Sequence, residues 1–248
     1  VRRRRTAPDL RRLEGPVAAG RKESPGAVVI MAGRTVRTGQ ADATRQLILV
    51  TAERLFAEHG VYAVSNRQVS EAAGQGNNAA VGYHFGTKSD LVRAVAQRHS
   101  ARVEELRARQ LAALGDSTDL RDWVDCLVRP QFEHLAALGS PTWYARFCAQ
   151  VMTDPALREI MVEESRASPS LREIIAGRNR CMPALPDEVR AERGDMARHL
   201  IVHMAAERER ALAEGRPTPR SGWREAADGL VDAIVGMWLA PVRPRGGE

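Results

Sequence analysis

Residues 65–91 read SNRQVSEAAGQGNNAAVGYHFGTKSDL, and this stretch decides the fold. Ser65 and Gln68 have the Ser-x-x-Gln form of a capping box, which opens a short helix carrying Val69, Ala72 and Ala73 inward. Gly74 breaks that helix, and the polar turn Gln75-Gly76-Asn77-Asn78 leads into a second short helix over 79–85. Thr87 and Asp90 repeat the cap and start a long helix, about 88–114, with Leu91, Val95, Val103 and Leu106 on its buried side. Upstream, Leu47, Ile48, Ala52, Leu55 and Phe56 recur on one face of a helix that stops at His59-Gly60. Two short helices joined by a glycine-bearing turn and braced by longer neighbours make a helix-turn-helix.

Ala72-Ala73-Gly74, followed by Tyr83-His84-Phe85-Gly86-Thr87-Lys88-Ser89-Asp90-Leu91, resembles the DNA-binding domain of TetR-family transcriptional regulators. The likeness runs from Ala43 to Leu91, about a fifth of the chain. Two departures stand out: the span from Gly74 to Phe85 is one residue longer than the commonest family spacing, and Gly82 replaces the usual aromatic or polar residue. The resemblance implies an all-α chain with an N-terminal helix-turn-helix three-helix domain (41–90) and a C-terminal helical ligand-binding and dimerisation domain (91–241). It also implies a homodimeric repressor that a small-molecule effector releases from a double-stranded DNA operator; no cofactor or enzyme activity is expected, and the dispersed cysteines and short apolar runs fit a reducing cytoplasm.

On this resemblance the third helix enters the major groove, where the N-terminal residues of a recognition helix meet base edges. Asn77 and Asn78 suit adenine, which a carboxamide pairs bidentately, although asparagine also builds turns and caps. Ala79 opens the same helix, and Arg67 lies on the exposed side of the second helix as a base or phosphate contact or a solvated arginine. Tyr83, His84 and Lys88 match family positions that hold the DNA backbone. Lys88 is a cation in the first turn of a helix, where it opposes the dipole unless an anion lies near. Val81 and Phe85 are expected to pack. The domain 41–90 has four basic and five acidic residues, so placed contacts rather than a broad basic face must supply its affinity.

Five of the chain's eleven aromatic residues fall between 123 and 147. On the resemblance, Trp123, Cys126, Phe132, Trp143, Tyr144, Phe147 and Met152 wall a mainly apolar effector pocket, with His134, Arg146 and Gln150 nearby; on spacing alone they are ordinary core. Asp154-Pro155 and Ser168-Pro169 each read as an N-cap followed by proline at the first helical position. The last two helices, about 187–213 and 222–239, carry Leu200 and Met204 and a broad stripe of Trp223, Ala227, Leu230, Val231, Ile234 and Trp238. The resemblance makes these a dimer interface; the intramolecular alternative is that the stripe packs inside its own chain.

Other classes are weaker readings. Asp195, His199, His203 and Glu207 recur every fourth residue on one helix, but the two histidines lack the glutamate of H-E-x-x-H, so a metal-binding or enzymatic bundle on this face is the alternative from another class. A DNA-binding architectural protein without an effector is a third. No P-loop, dinucleotide fingerprint or nucleophile–base arrangement occurs. Cys126, Cys148 and Cys181 are too dispersed for a disulfide framework, and the longest apolar run, residues 27–32, is too short to span a bilayer.

Of the 37 basic residues only Lys22 and Lys88 are lysines, a bias that warns against reading each arginine as a contact. Residues 1–40 have ten basic and three acidic side chains, so the net charge of +6 belongs to this segment. It is expected to be a disordered Arg-rich tail, as is 242–248. Two readings stay open: a nucleic-acid-binding arm, or a solvated tail upstream of a working start at Met31.

Overall fold

The computed structural model describes the backbone of residues 25–242 and the side chains of residues 40–242. The chain divides into units 1–42 and 43–248, and the core and the cavities belong to the second. Every regular element among the described residues is helical: α1 (Pro25–His59), α2 (Asn66–Ala72), α3 (Ala80–Phe85), α4 (Lys88–Leu114), α5 (Leu120–Leu138), α6 (Tyr144–Thr153), α7 (Pro155–Ala167), α8 (Pro169–Cys181), α9 (Asp187–Ala213) and α10 (Trp223–Leu239).

Local chemistry accounts for the boundaries. Both capping boxes form, Ser65 with Gln68 before α2 and Thr87 with Asp90 before α4. Asp154 and Ser168 cap α7 and α8, each with proline at the first helical position. The α1 terminus turns through Gly60 at φ +88°, a conformation that favours glycine. One expectation is corrected. The helix of α1 begins at Pro25, so the segment expected to be disordered up to residue 40 is helical from 25 onward. Extending a helix already nucleated by 41–59 adds one hydrogen bond per residue fixed, which needs no cap and leaves little trace in the sequence. The remainder of the expected tail, 1–24, and residues 243–248 lie outside the described residues.

A single apolar cluster runs from Ile48 in α1 to Trp238 in α10, so the expected division at residue 90 is not a break in the core. Helix α4 belongs to both halves: it packs on α3 at its start and on α5, α7 and α8 beyond. Helix α10 lies along α5, and α6 along α9. A second small cluster joins Leu111, Trp123, Cys126 and Ile174. There Gly177 of α8 faces the Trp123 ring so closely that a Cβ would overlap it.

Candidate nucleic-acid interface and ligand cavity

Helix α3 takes its orientation from α2. The Ser70 hydroxyl, fully buried, donates to the Asn66 carbonyl (3.1 Å) and accepts the Val81 amide (3.3 Å). The N-cap residue Ala79 has no side chain to offer, so Ser70 satisfies one of the orphan amides of α3 from the preceding helix. Val81 and Ala80 are buried against the core, which leaves Asn78, Ala79, Gly82 and Tyr83 outward, Tyr83 at 84% exposure. Residues 79, 82 and 83 share a helix face. Nothing lies within 4 Å of the position a Cβ of Gly82 would take, so this face is flat in the middle and open to another molecule.

The other expected contacts are placed differently. Asn77 accepts the Ala79 amide at 2.9 Å through Oδ1, the turn-forming role. Arg67 is exposed and its Nε donates to Glu71 at 2.7 Å. His84 sits edge-on to Tyr83, ring centroids 5.0 Å apart. Phe85 packs under Arg45, whose guanidinium carbon lies 4.8 Å from the ring centroid. Lys88 is a correction: its ammonium donates to the carbonyls of Val61 (3.0 Å) and Val64, which ties the α1–α2 loop to α4 and uses two of its three N–H groups. That internal anchor, rather than an external anion, explains a lysine in the first turn.

A cavity of about 890 Å³ opens between α4, α5, α6, α7, α8 and α9, and a smaller one of about 300 Å³ adjoins it through Arg107, Gln131, Tyr144, Met161 and Ser165. Of the seven residues expected to wall a pocket, Tyr144 and Met152 line the larger cavity. The other five face elsewhere, which corrects the expectation. Trp123, 1% exposed, donates its Nε1–H to the Ser117 carbonyl at 2.9 Å, and Cys126 packs beside it. Phe132 meets Trp223 edge-on at 5.7 Å, and Trp143 donates to Glu58 at 3.2 Å. Phe147 lies between the Phe56 and Tyr144 rings, 6.4 Å from each. Aromatic side chains bury so much surface that a short run of them tends to become core before it becomes lining. Burial pushes the Cys126 and Cys148 thiols up to about 12, so neither is a nucleophile at neutral pH.

Sequence reading missed the polar chain that joins the cavity wall to α1. Glu53 of α1, almost fully buried, accepts from Arg98 (3.0 Å) and from His99 Nε2 (2.8 Å). His99 Nδ1 lies 2.8 Å from His134 Nε2. A carboxylate accepts, so His99 Nε2 carries a proton toward Glu53, and one further proton lies between His99 Nδ1 and His134 Nε2. Burial, reinforced by His99, holds His134 down at about 4, and it is neutral at pH 7. The Tyr144 ring stacks on His99 at 3.8 Å between centroids. Tyr144 therefore touches the cavity with one part and His99 with another, and His99 grips α1. Leu91, Val95, His99 and Val103 share one spacing, so His99 in an apolar stripe was the available clue.

Helix α6 is held from the far side as well. Glu209 of α9, 1% exposed, accepts the Ala145 and Arg146 amides (3.1 and 3.0 Å) and Arg146 Nε (3.1 Å). A carboxylate at a helix N-terminus is favoured by the orphan amides and the dipole.

The expected dimer stripe is also corrected. Ala227, Leu230, Val231, Ile234 and Trp238 are buried within the chain, where α10 lies on α5, and Trp223 meets Phe132. A large apolar stripe needs cover, and a neighbouring helix of the same chain supplies it. Met204 remains 54% exposed, and Leu200 is half-buried on the same side of α9. The His199 and His203 rings stack at 6.0 Å, and among the described residues no three potential ligands assemble around a metal position.

Comparison with known proteins agrees with this architecture. Residues 48–95 match the family model described as bacterial regulatory proteins, tetR family, and residues 125–237 match that described as tetracyclin repressor-like, C-terminal domain. The chain is similar to the HTH-type transcriptional repressor AcnR of Corynebacterium glutamicum, 41% identical over 63 residues, which is 25% of this chain and 33% of that protein. It is also similar to AcnR of Corynebacterium diphtheriae, 30% identical over 125 residues, 49% of this chain and 57% of that protein. The matched stretches thus span from a third to just over half of these relatives' length. A solved tetR family transcription regulator from Shewanella sp. PV-4 has the same fold, with a TM-score of 0.52 and 17% identity, covering 79% of this chain and 96% of that one. With family matches over both the helix-turn-helix and the helical domain behind it, this chain belongs to the TetR family of regulators.

Proposed function

We propose that the protein is a sequence-specific DNA-binding repressor that works as a homodimer in the cytoplasm, without enzymatic activity, and leaves its operator when a small molecule fills the large cavity. The observation that carries this reading is the outward face of Asn78, Ala79, Gly82 and Tyr83 on a helix pinned by Ser70. Asn78 reads a base, the flat Ala79–Gly82 surface admits the groove wall, and Tyr83 and His84 meet phosphates. Arg67 and the outward edge of Asn77 flank that contact.

Dimerisation is assigned to the exposed side of α9, Met196, Leu200 and Met204, together with the small residues Ala233 and Gly236 on α10, where a second backbone can approach closely. Ligand binding against Tyr144 acts on α1 through His99 and Glu53, and so changes the spacing of two recognition helices.

Amide exchange of the full chain, with and without a random 40-base-pair duplex at low salt, tests the assignment of the surface. Protection confined to residues 65–90 is expected. Protection elsewhere, or none, overturns it.

A further inference from the structure

The large cavity is apolar in its walls, through Leu127, Met152, Met161, Ile201 and Val202, yet it is strongly cationic. Six arginines line it (Arg107, Arg166, Arg172, Arg178, Arg190 and Arg198) against two aspartates, Asp187 and Asp195. Both aspartates are engaged, Asp187 with Arg190 (3.4 Å) and Asp195 with Arg198 (2.8 Å). Arg178 lies over the Trp238 ring at 4.4 Å and has no carboxylate partner among the described residues.

Of the six, Arg107 and Arg198 each have a shielded nitrogen without a partner, and Arg198 is already paired with Asp195, which leaves Arg107. It stands where the two cavities meet, its Nε is shielded from solvent, and that atom has no hydrogen-bond partner. The carboxylate that acts on it, Glu104, is turned toward the start of α8, where it accepts from the Ser168 hydroxyl and from the Ser170 amide (2.9 Å) and hydroxyl (2.8 Å). A half-buried guanidinium with a shielded, unpaired Nε–H, whose nearest carboxylate is committed to α8, is costly in a folded chain, and an incoming anion offsets that cost. A guanidinium meets a carboxylate through two parallel N–H···O bonds, a geometry an ammonium lacks. Exposed Arg172 at the rim adds a field that draws anions inward, while Arg166 beside it is paired with Glu159 (3.0 Å).

We propose that the occupant of this cavity is an amphipathic organic anion, an acyl chain ending in a carboxylate, with its head on Arg107 and its chain along α5, α6, α7 and α9. The inference rests on the effector-binding reading and names its ligand class. It replaces the sequence expectation of a mainly apolar effector pocket.

Dodecanoate and dodecan-1-ol, which differ in the head group alone, are titrated into the full chain by calorimetry, with Arg107→Gln and Arg107→Lys in parallel. Dodecanoate is expected to bind once per chain and about tenfold or more tighter than the alcohol, the scale of a charge-assisted pair. Arg107→Gln should bring the two within about twofold while melting no lower than the parent, since it removes an unpaired charge, and Arg107→Lys should keep a preference for the acid. Equal binding of acid and alcohol overturns the anion and leaves the effector reading standing. A preference for the acid that survives Arg107→Gln overturns the assignment to Arg107. Binding of neither overturns the proposal, and release of operator by an uncharged molecule in that case would leave the effector reading intact.

Discussion

Replacing Lys88 with alanine separates two roles that the sequence alone runs together. As a phosphate contact, Lys88 would contribute about one unit to the salt dependence of DNA binding and little to stability. The structure instead places its ammonium on the Val61 and Val64 carbonyls, with the Tyr62 ring 6.0 Å away. Hydrogen bonds to a charged group contribute about 1.5–3 kcal/mol each when buried. These are half-buried and water can replace part of the loss, so about 2–3 kcal/mol for the pair is the working figure. For a chain of this size each kcal/mol moves the melting temperature by about 2–4 °C, so Lys88→Ala should melt about 4–12 °C lower. Its salt slope on the selected operator should change by less than about 0.3. Lys88→Met, which keeps the stem, should lose nearly as much stability. Calorimetric melting and anisotropy titrations across a salt series read both quantities. An unchanged melting temperature with a slope reduced by about one would refute the anchoring argument and restore the phosphate contact.

Other substitutions probe the remaining links. Ser70→Ala leaves the Val81 amide unsatisfied at a buried site, and should cost about 1–2 kcal/mol and weaken base discrimination; Ser70→Thr, which keeps the oxygen, should restore discrimination if its methyl fits. His134 titrates near 4 in the folded chain and near 6.5 unfolded, so the unfolded chain binds the extra proton below pH 6.5. Stability is therefore full above that pH and falls as pH drops toward 4, by up to about 1.4 kcal/mol per unit, and His134→Gln should flatten that limb of a denaturation series. Gly177→Ala would gain about 1 kcal/mol of helix propensity in isolation. Set against the buried Trp123 ring it should instead lower stability by about 1–3 kcal/mol, and a stabilised variant would show that the ring can move.

What could be read from the sequence was what is local. Ser65 with Gln68, Thr87 with Asp90, and the two Ser/Asp-Pro starts lie within four residues of their partners, and each marks a helix end that the structure reproduces. Helix α9 has the bounds its pattern suggested. Tertiary neighbours were not legible. Phe147 and Trp123 have the composition of a pocket wall, and only the approach of Phe56 and of Gly177 makes them core. The α10 stripe is apolar enough for a dimer, but α5 covers it first. Arg107 was lost among 35 arginines: many of the described ones, like Arg102 beside Glu105, are exposed, and nothing in the sequence marks one that lines a cavity with an unpaired Nε–H. Ser70 and Glu53 act across 11 and 46 residues, distances at which spacing carries no information.

The most direct measurement is selection of duplex DNA from a random pool by the purified full chain, followed by sequencing of the retained fraction. The account predicts enrichment of a palindrome whose half-sites are about one helical turn apart, or a small multiple of it, as two copies of α3 on a symmetric dimer require. An Asn78→Ala variant should lose preference at one base pair of each half-site, by about 1–3 kcal/mol. Recovery of DNA with no motif above the starting pool, or of a motif that Asn78→Ala and Tyr83→Ala leave unchanged, would contradict the central claim.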